Sequence, residues 1–252
     1  MKLGKFELNH IYHMDCLEGM KLIPNKSIDM ILCDLPYGVT SRNKWDSIIP
    51  LELLWNEYKR IIKDNGAIVL TAIEPFTSRL IQSQLSLFKY KWTWDKRGPT
   101  GFLNAKKQPL RVTEDILIFY KKQCTYNPIM ITREKPRIKG GYIKNGGSTN
   151  YNEFYEVKSY NNTYYPTNLI SISNANRKDR FHPTQKPVKL FEYLIQTYTK
   201  EGEIVLDNCI GSGTTALAAL RCKRKFIGFE IEPKYIEIAN ERIKNLINES
   251  DK

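Results

Sequence analysis

Asp34-Leu35-Pro36-Tyr37 is the tetrapeptide of this 252-residue chain whose residue types and order suggest chemistry. It follows Ile28 to Cys33, which reads as a short, continuous run of apolar residues closed by turn residues, the pattern of a buried strand in a parallel sheet. Pro36 restricts its own φ and pushes Leu35 towards an extended conformation, and Gly38 then lets the chain turn away. Asp34 and Tyr37 are thereby expected at the carboxyl end of a strand, where open α/β sheets hold their ligands. The plainer reading is a strand end with a turn and a half-buried tyrosine.

The chemistry that suits these residues is methyl transfer to an exocyclic amine. The amino nitrogen of adenine is a poor nucleophile because its lone pair is delocalised into the ring. Two acceptors gripping its hydrogens, the Asp34 carboxylate and the Leu35 carbonyl, would pull it towards tetrahedral geometry and expose the lone pair. Tyr37 offers a flat face for a base taken out of the duplex, with Pro36 stiffening the turn between them. No covalent nucleophile is needed.

A second group of candidates lies near the end of the chain. Glu203 to Asp207 reads as a strand ending on a carboxylate, Asn208 to Thr215 as a glycine-bearing turn that opens a helix, and Phe226 to Glu230 as the next strand. Gly211-Ser212-Gly213-Thr214-Thr215-Ala216 satisfies the loose dinucleotide pattern, and Glu230 stands near the distance expected of a ribose-binding acid. This half by itself leaves a nicotinamide cofactor and S-adenosylmethionine both open. Asp207 favours the second, because an acid before the glycines suits an ammonium and a sulfonium and opposes a diphosphate. No lysine follows the glycines, which excludes a Walker loop. Glu230 also reads as a surface acid opening a helix.

The elements that must position these residues follow a strand, helix, strand, helix order. Strands are expected at Phe6 to Met14, Ala67 to Ala72, Phe88 to Trp94 and Ile116 to Tyr120, and helices at Cys16 to Ile23, from Pro50 to Lys63, after Glu74-Pro75, and from Val188 to Tyr198. Asn65-Gly66 reads as the stop of the second helix. The fold class is therefore α/β, Rossmann-like, with a mostly parallel twisted sheet and helices on both faces. A polar loop, Val39 to Asp46, is placed to close over a site. Asp95 to Lys107 mixes glycine, basic residues and one exposed-looking Phe102; it reads as the lining of a nucleic-acid channel or as a solvated loop. From Gln123 to Phe181 periodicity is lost, and Gly140-Gly141, Asn145-Gly146-Gly147 and Asn161-Asn162 mark turns. Tyrosine and asparagine interleaved with Arg133, Lys135, Arg137, Lys139 and Lys144 suit stacking, phosphate contact and base-edge readout, so this segment reads as an irregular recognition insert.

The formal charge of +12 points to a polyanionic partner, nucleic acid ahead of a membrane surface. Cys16, Cys33, Cys124, Cys209 and Cys222 show no metal-ligand or disulfide-framework spacing, so no metal is expected and a reducing cytoplasmic location is. No apolar run approaches membrane-spanning length, and no membrane partner is expected.

With both motifs placed at strand ends, the sequence resembles the amino-group DNA methyltransferases of the permuted (beta) class. That family runs catalytic half, target-recognition segment, cofactor half, which here implies residues 1–122, 123–181 and 182–252. His182-Pro183-Thr184-Gln185-Lys186-Pro187 matches the family's motif before the cofactor turn. The resemblance implies S-adenosyl-L-methionine as cofactor, DNA as partner and a homodimer. It implies that Asp207, Gly211, Ser212, Gly213 and Thr214 cradle the methionine end, that Glu230 holds the ribose hydroxyls, that Lys186 approaches the cofactor carboxylate and that Asp15 lies near the cofactor adenine. Leu35 departs from the family's usual first proline, and Cys209 from a common phenylalanine. Asp34 in first position favours adenine N6 over the cytosine N4 alternative, and the absence of a Pro-Cys dipeptide argues against the cytosine-C5 class. A nicotinamide-linked oxidoreductase, a catalytically silent nucleic-acid-binding protein, and RNA or protein as methyl acceptor are the competing readings.

Overall fold

Strands and helices alternate along the chain because apolar runs of two periods alternate, and each kind buries a different side of itself. The computed structural model describes residues 1–38, 48–139, 159–174 and 185–250. The expected closing loop Val39 to Asp46, the glycine turns at 140–141 and 145–147, Lys144, and His182 to Thr184 lie outside the described residues. The elements in order are β1 (Lys2–Leu3), β2 (Phe6–Glu7), β3 (His10–His13), α1 (Cys16–Lys21), β4 (Ile28–Cys33), α2 (Leu51–Ile61), β5 (Ile62–Ala72), α3 (Phe76–Ser83) and β6 (Phe88–Thr100). A 3-10 turn (Phe102–Asn104), β7 (Arg111–Phe119), β8 (Ile131–Lys139), β9 (Ser159–Tyr164), β10 (Leu169–Ser171), α4 (Val188–Tyr198), β11 (Ile204–Asp207), α5 (Thr214–Arg221), β12 (Lys225–Glu230) and α6 (Pro233–Ser250) follow.

An eight-stranded sheet runs β10-β6-β7-β5-β4-β11-β12-β3. Only β7 runs against its neighbours, so the sheet is mostly parallel. Its residues alternate between two cores. Met30, Leu32, Val69, Trp94, Ile116 and Val205 face α4, α5 and α6, whereas Ile31, Cys33, Leu70, Leu117, Leu206 and Phe229 face α1, α2 and α3. Helices thus cover both faces, and the central strands are buried on both sides as parallel strands are.

Three local expectations differ. Asn65-Gly66 does not stop a helix: α2 ends at Ile61 and the chain enters β5 directly. The β4–β5 register shifts between Ile28↔Ile62 and Met30↔Ala67, and Gly66 lies in the extra length. A Cβ on Gly66 would meet the Asp29 carbonyl at 2.7 Å, so close backbone approach is what calls for glycine. Asp29 interrupts the apolar run but is buried with its charge met by Lys63 Nζ at 2.6 Å, and it accepts the Ile204 N–H at 3.0 Å. Third, the Gln123 to Phe181 segment is not all irregular. β8 and β9 form an antiparallel ribbon, Asn161 pairs with Arg137 inside it rather than turning, and β10 joins the edge of the main sheet alongside β6. A two-stranded polar ribbon has no buried face, so it leaves no period in the sequence.

The chain divides into two compact units, Met1–Asn127 with Asn168–Lys252, and Pro128–Thr167. The smaller carries the ribbon, where the Arg133 guanidinium lies over the Tyr164 ring at 4.9 Å from its centroid. No described helix is long and apolar enough to cross a membrane.

Replacing Gly66 with alanine drives a methyl group against the Asp29 carbonyl. Gly66→Ala is expected to lower stability by about 1–3 kcal/mol in chemical denaturation, whereas a helix-stop glycine would not penalise a contact. An unchanged midpoint would refute the close-approach account.

Candidate active site

β4 and β11 are parallel neighbours, with Val205 opposite Met30 and Leu206 opposite Ile31. The carboxylates that follow them, Asp34 and Asp207, therefore leave the sheet at the same edge, and both line one cavity of about 440 Å³. Of the candidate residues from the sequence, Asp15, Asp34, Leu35, Pro36, Tyr37, Lys186, Asp207, Gly211, Ser212, Thr214 and Glu230 line it, and Gly213 does not. Gly213 sits at φ 83° capping α5, and a Cβ there would lie 2.8 Å from that of Ala239. Its place is set by the approach of the turn to α6. Gly211 has φ 52° with nothing near its missing Cβ, so backbone conformation alone favours glycine there.

Asp34 is held from several sides. Its Oδ1 accepts from the Tyr37 hydroxyl at 2.6 Å and from the Thr71 hydroxyl, and the two hydroxyls lie 3.0 Å apart. Its Oδ2 accepts from Lys186 Nζ at 2.6 Å. The resemblance puts Lys186 towards a cofactor carboxylate; the structure seats its ammonium on Asp34, 3.4 Å from Glu114 Oε2 and 5.5 Å from the Tyr37 ring centroid. Burial alone would lower the Lys186 pKa, but the carboxylates of Asp34 and Glu114 outweigh it and push the ammonium up. Burial, followed by the neighbouring Asp34 and Glu114 charges, raises the Tyr37 phenol well above its usual value. The Tyr37 ring packs on Phe76 at 5.4 Å between centroids.

Glu114 continues the row of charges. Its Oε1 accepts from Lys96 Nζ at 3.2 Å, and Lys96 donates onward to Thr100 Oγ1 at 3.1 Å. Lys96, Glu114, Lys186 and Asp34 thus alternate in sign along the cavity wall, with Lys96 and Lys186 only 4% and 6% exposed. Sequence reasoning missed Lys96, Thr71 and Glu114. The signal was present for two of them: Lys96 keeps the phase of Trp92 and Trp94, and Glu114 that of Ile116 and Ile118. A charged residue at the buried phase of an alternating strand marks a paired interior charge.

In the second half each acid is oriented by backbone N–H groups. Asp207 accepts from Cys209 N at 3.0 Å and from the Thr215 hydroxyl, and burial pushes its pKa up to about 6. Glu230 accepts from Gly211 N at 2.8 Å, Ile231 N at 2.9 Å and Glu232 N at 3.0 Å. Asp15 caps α1 through Leu17 N at 2.8 Å and Glu18 N at 3.2 Å while its carboxylate borders the cavity. Ser212 Oγ donates to Gln185 Oε1 at 3.2 Å, which ties the turn to the segment bearing Lys186. The Cys209 thiol lies among those of Cys16 and Cys33, so the position at which the resemblance implies a phenylalanine is here part of a sulfur cluster. No group of metal-ligating side chains occurs among the described residues.

An acid-lined cavity divided between two strand ends fits a cofactor-dependent transferase with a cationic donor. The chain belongs to the DNA methylase family of N6 and N4 amino-methyltransferases, whose model matches residues 28–241, and it uses S-adenosylmethionine. Among curated relatives it is 29% identical to the type II methyltransferase M1.MboII of Moraxella bovis over 93% of this chain and 96% of that one. It is also 29% identical to the DNA adenine methyltransferase YhdJ of Escherichia coli K12, over 94% and 83%. The solved M1.HpyAVI–SAM complex superposes with a TM-score of 0.64 at 27% identity over 93% of this chain and 98% of that one. The cytosine-N4-specific PvuII methyltransferase shares the fold, with a TM-score of 0.65 at 19% identity over 98% and 95%.

The charge row sets a stability expectation. Glu114→Gln leaves two ammonium groups facing one another in the interior and is expected to destabilise the protein by roughly 3–5 kcal/mol, read in a denaturant titration. Replacing Lys96 and Glu114 together by Met and Leu removes a matched pair and should recover most of that loss. Equal destabilisation by both variants would show that the row is not electrostatically coupled.

Proposed function

We propose that the protein methylates the N6 amino group of adenine in DNA, and that Asp34, Leu35, Pro36 and Tyr37 form the amine site. The observation that carries this reading is the opening of Asp34 and Asp207, from adjacent parallel strands, into one cavity. The Asp34 carboxylate and the Leu35 carbonyl accept the two amine hydrogens and hold the nitrogen lone pair towards the donor. Tyr37 receives the face of the extruded base, which requires its hydroxyl to leave Asp34 or the base to approach over the ring already packed on Phe76. Asp34 takes up the proton that the amine sheds after transfer.

The donor set fits the cofactor. Asp207, Glu230 and Asp15 line the cavity, carboxylates that suit an ammonium and hydroxyl groups and repel a diphosphate. The same acids weigh against the nicotinamide alternative. Asp207 with Gly211, Ser212 and Thr214 would hold the methionine end, Glu230 the ribose hydroxyls and Asp15 the adenine side. Bound there, S-adenosylmethionine supplies an electrophilic methyl group on a sulfonium. Lys186, seated on Asp34, reaches a cofactor carboxylate by leaving that acid, and its departure frees an Asp34 oxygen for the amine. Adenine is favoured over cytosine by aspartate in first position, and the related YhdJ is an adenine methyltransferase.

The ribbon unit Pro128–Thr167 is assigned to target recognition, supported by its basic and aromatic side chains. The resemblance is compatible with a homodimer, dimers being common in the class, and free cysteines are compatible with a reducing, cytoplasmic location.

Mass spectrometry of hydrolysed, enzyme-treated genomic DNA is expected to show N6-methyladenine; N4-methylcytosine as the sole product would overturn the adenine assignment. Asp34→Ala should reduce methyl transfer by about a thousandfold or more while DNA retention persists, and full activity in that variant would remove Asp34 from the mechanism. Asp207 provides a pH signature. Its raised pKa means the neutral acid prevails below about pH 6, so a ligand ammonium loses its counter-charge as pH falls. Calorimetric affinity for S-adenosylhomocysteine should fall roughly tenfold between pH 7 and pH 5, and Asp207→Asn should flatten that dependence. A wild-type affinity indifferent to pH would remove Asp207 from the ammonium site.

A further inference from the structure

Residues 101–110 join β6 to β7 and carry the most conspicuous unpartnered apolar pair of the described surface. Phe102 is 65% exposed and Leu103 101% exposed. They are not on a slack loop. Asn104 N donates to Gly101 O at 2.9 Å, Ala105 N to Phe102 O at 3.1 Å, and Lys107 N and Gln108 N to Asn104 O at 2.9 and 3.0 Å. The turn stands on a paired stem: Thr100 is opposite Arg111, and Thr100 Oγ1 donates to the Arg111 carbonyl at 3.1 Å while accepting from buried Lys96. Thr100 and Arg111 both line the cavity that holds Asp34. The tip therefore projects from the wall of the active site.

Its surroundings say what it meets. From residue 97 to residue 113 there are four basic residues and no acid, and Lys106, Lys107 and Arg111 are exposed. An apolar pair ringed by cations matches a surface that is apolar within and anionic around, which is the base stack of a duplex between its phosphates. Extruding a base into the cavity leaves a gap in that stack, and closing the gap with an apolar side chain offsets the lost stacking.

We propose that Phe102 and Leu103 form a wedge that enters the duplex at the step vacated by the target base, with Lys106, Lys107 and Arg111 on the flanking phosphates. The inference rests on the amine-methylation reading above and adds the element that drives extrusion. The wedge lies outside the amine and cofactor contacts, so its loss affects transfer only when the base must be unstacked.

The test uses duplexes bearing the recognition site, identified by modification-sensitive sequencing, in two forms: fully paired, and with an abasic position opposite the target adenine. Phe102→Ala/Leu103→Ala is expected to bind S-adenosylhomocysteine like the wild type, to lose roughly 30-fold or more in single-turnover rate on the paired duplex, and to return to within about threefold of wild type on the abasic one, where the target base has no pairing partner and extrusion costs less. Wild-type rates on the paired duplex would overturn the proposal. So would an equal loss on both duplexes, which would assign the turn to general DNA docking, or to a subunit contact if sedimentation also changes. A wild-type protein that methylates neither duplex would instead bring down the amine-methylation reading, and the wedge with it.

Discussion

The parallel pairing of β4 with β11 is the constraint on which the site depends. Leu206 lies opposite Ile31, so the two strands finish within a step of each other; β11 ends on a carboxylate, Asp207, and β4 is followed at once by another, Asp34. Parallel strands cannot be joined by a short hairpin, and here they come from opposite ends of the chain. The contact between the two strands is made by buried strand residues. Met30, Leu32 and Val205 on one face, and Ile31, Cys33 and Leu206 on the other, hold the register by burying every side chain on both faces. A slip by one residue would exchange the two cores and turn the acids away from each other.

The second constraint is charge balance. An unpaired charge in a protein interior is disfavoured by several kcal/mol, so carboxylates at the floor of a cavity have to be met. Asp34 and Glu114 are met by ammonium groups, in the alternating row from Lys96 to Asp34. The other acids of the cavity are met by backbone N–H groups, Asp15 at a helix N-terminus and Asp207 and Glu230 at tight turns. The two solutions have different consequences. Peptide donors orient a carboxylate without neutralising it, which leaves negative potential for a cationic ligand. A lysine neutralises its partner and can be drawn away by a competing anion, which makes the availability of Asp34 depend on where Lys186 sits.

The positive charge of the whole chain and the negative lining of its cavity are separate features. The formal charge of +12 acts over distances of a Debye length or so and draws in a polyanion. The acids act at contact, on the groups that enter.

Much of this was legible in the chain itself. The carboxylates at strand ends, the glycine turn and the helix–strand alternation all follow from local rules: apolar period, proline and glycine geometry, and the chemistry of side chains next to one another. The β8–β9 ribbon was not legible, because paired polar strands leave no apolar period, and Asn65-Gly66 was misread as a helix stop because its glycine answers to Asp29 on the neighbouring strand. Lys186 could be placed near the site by its neighbours in sequence, but its partners Asp34 and Glu114 lie far away along the chain. Sequence by itself determined which groups stand at the ends of which elements, since that depends on residues within a turn or two. Tertiary structure alone decided which of those groups touch, because ion pairs, strand neighbours and a shared cavity arise from burial between segments that no local rule connects.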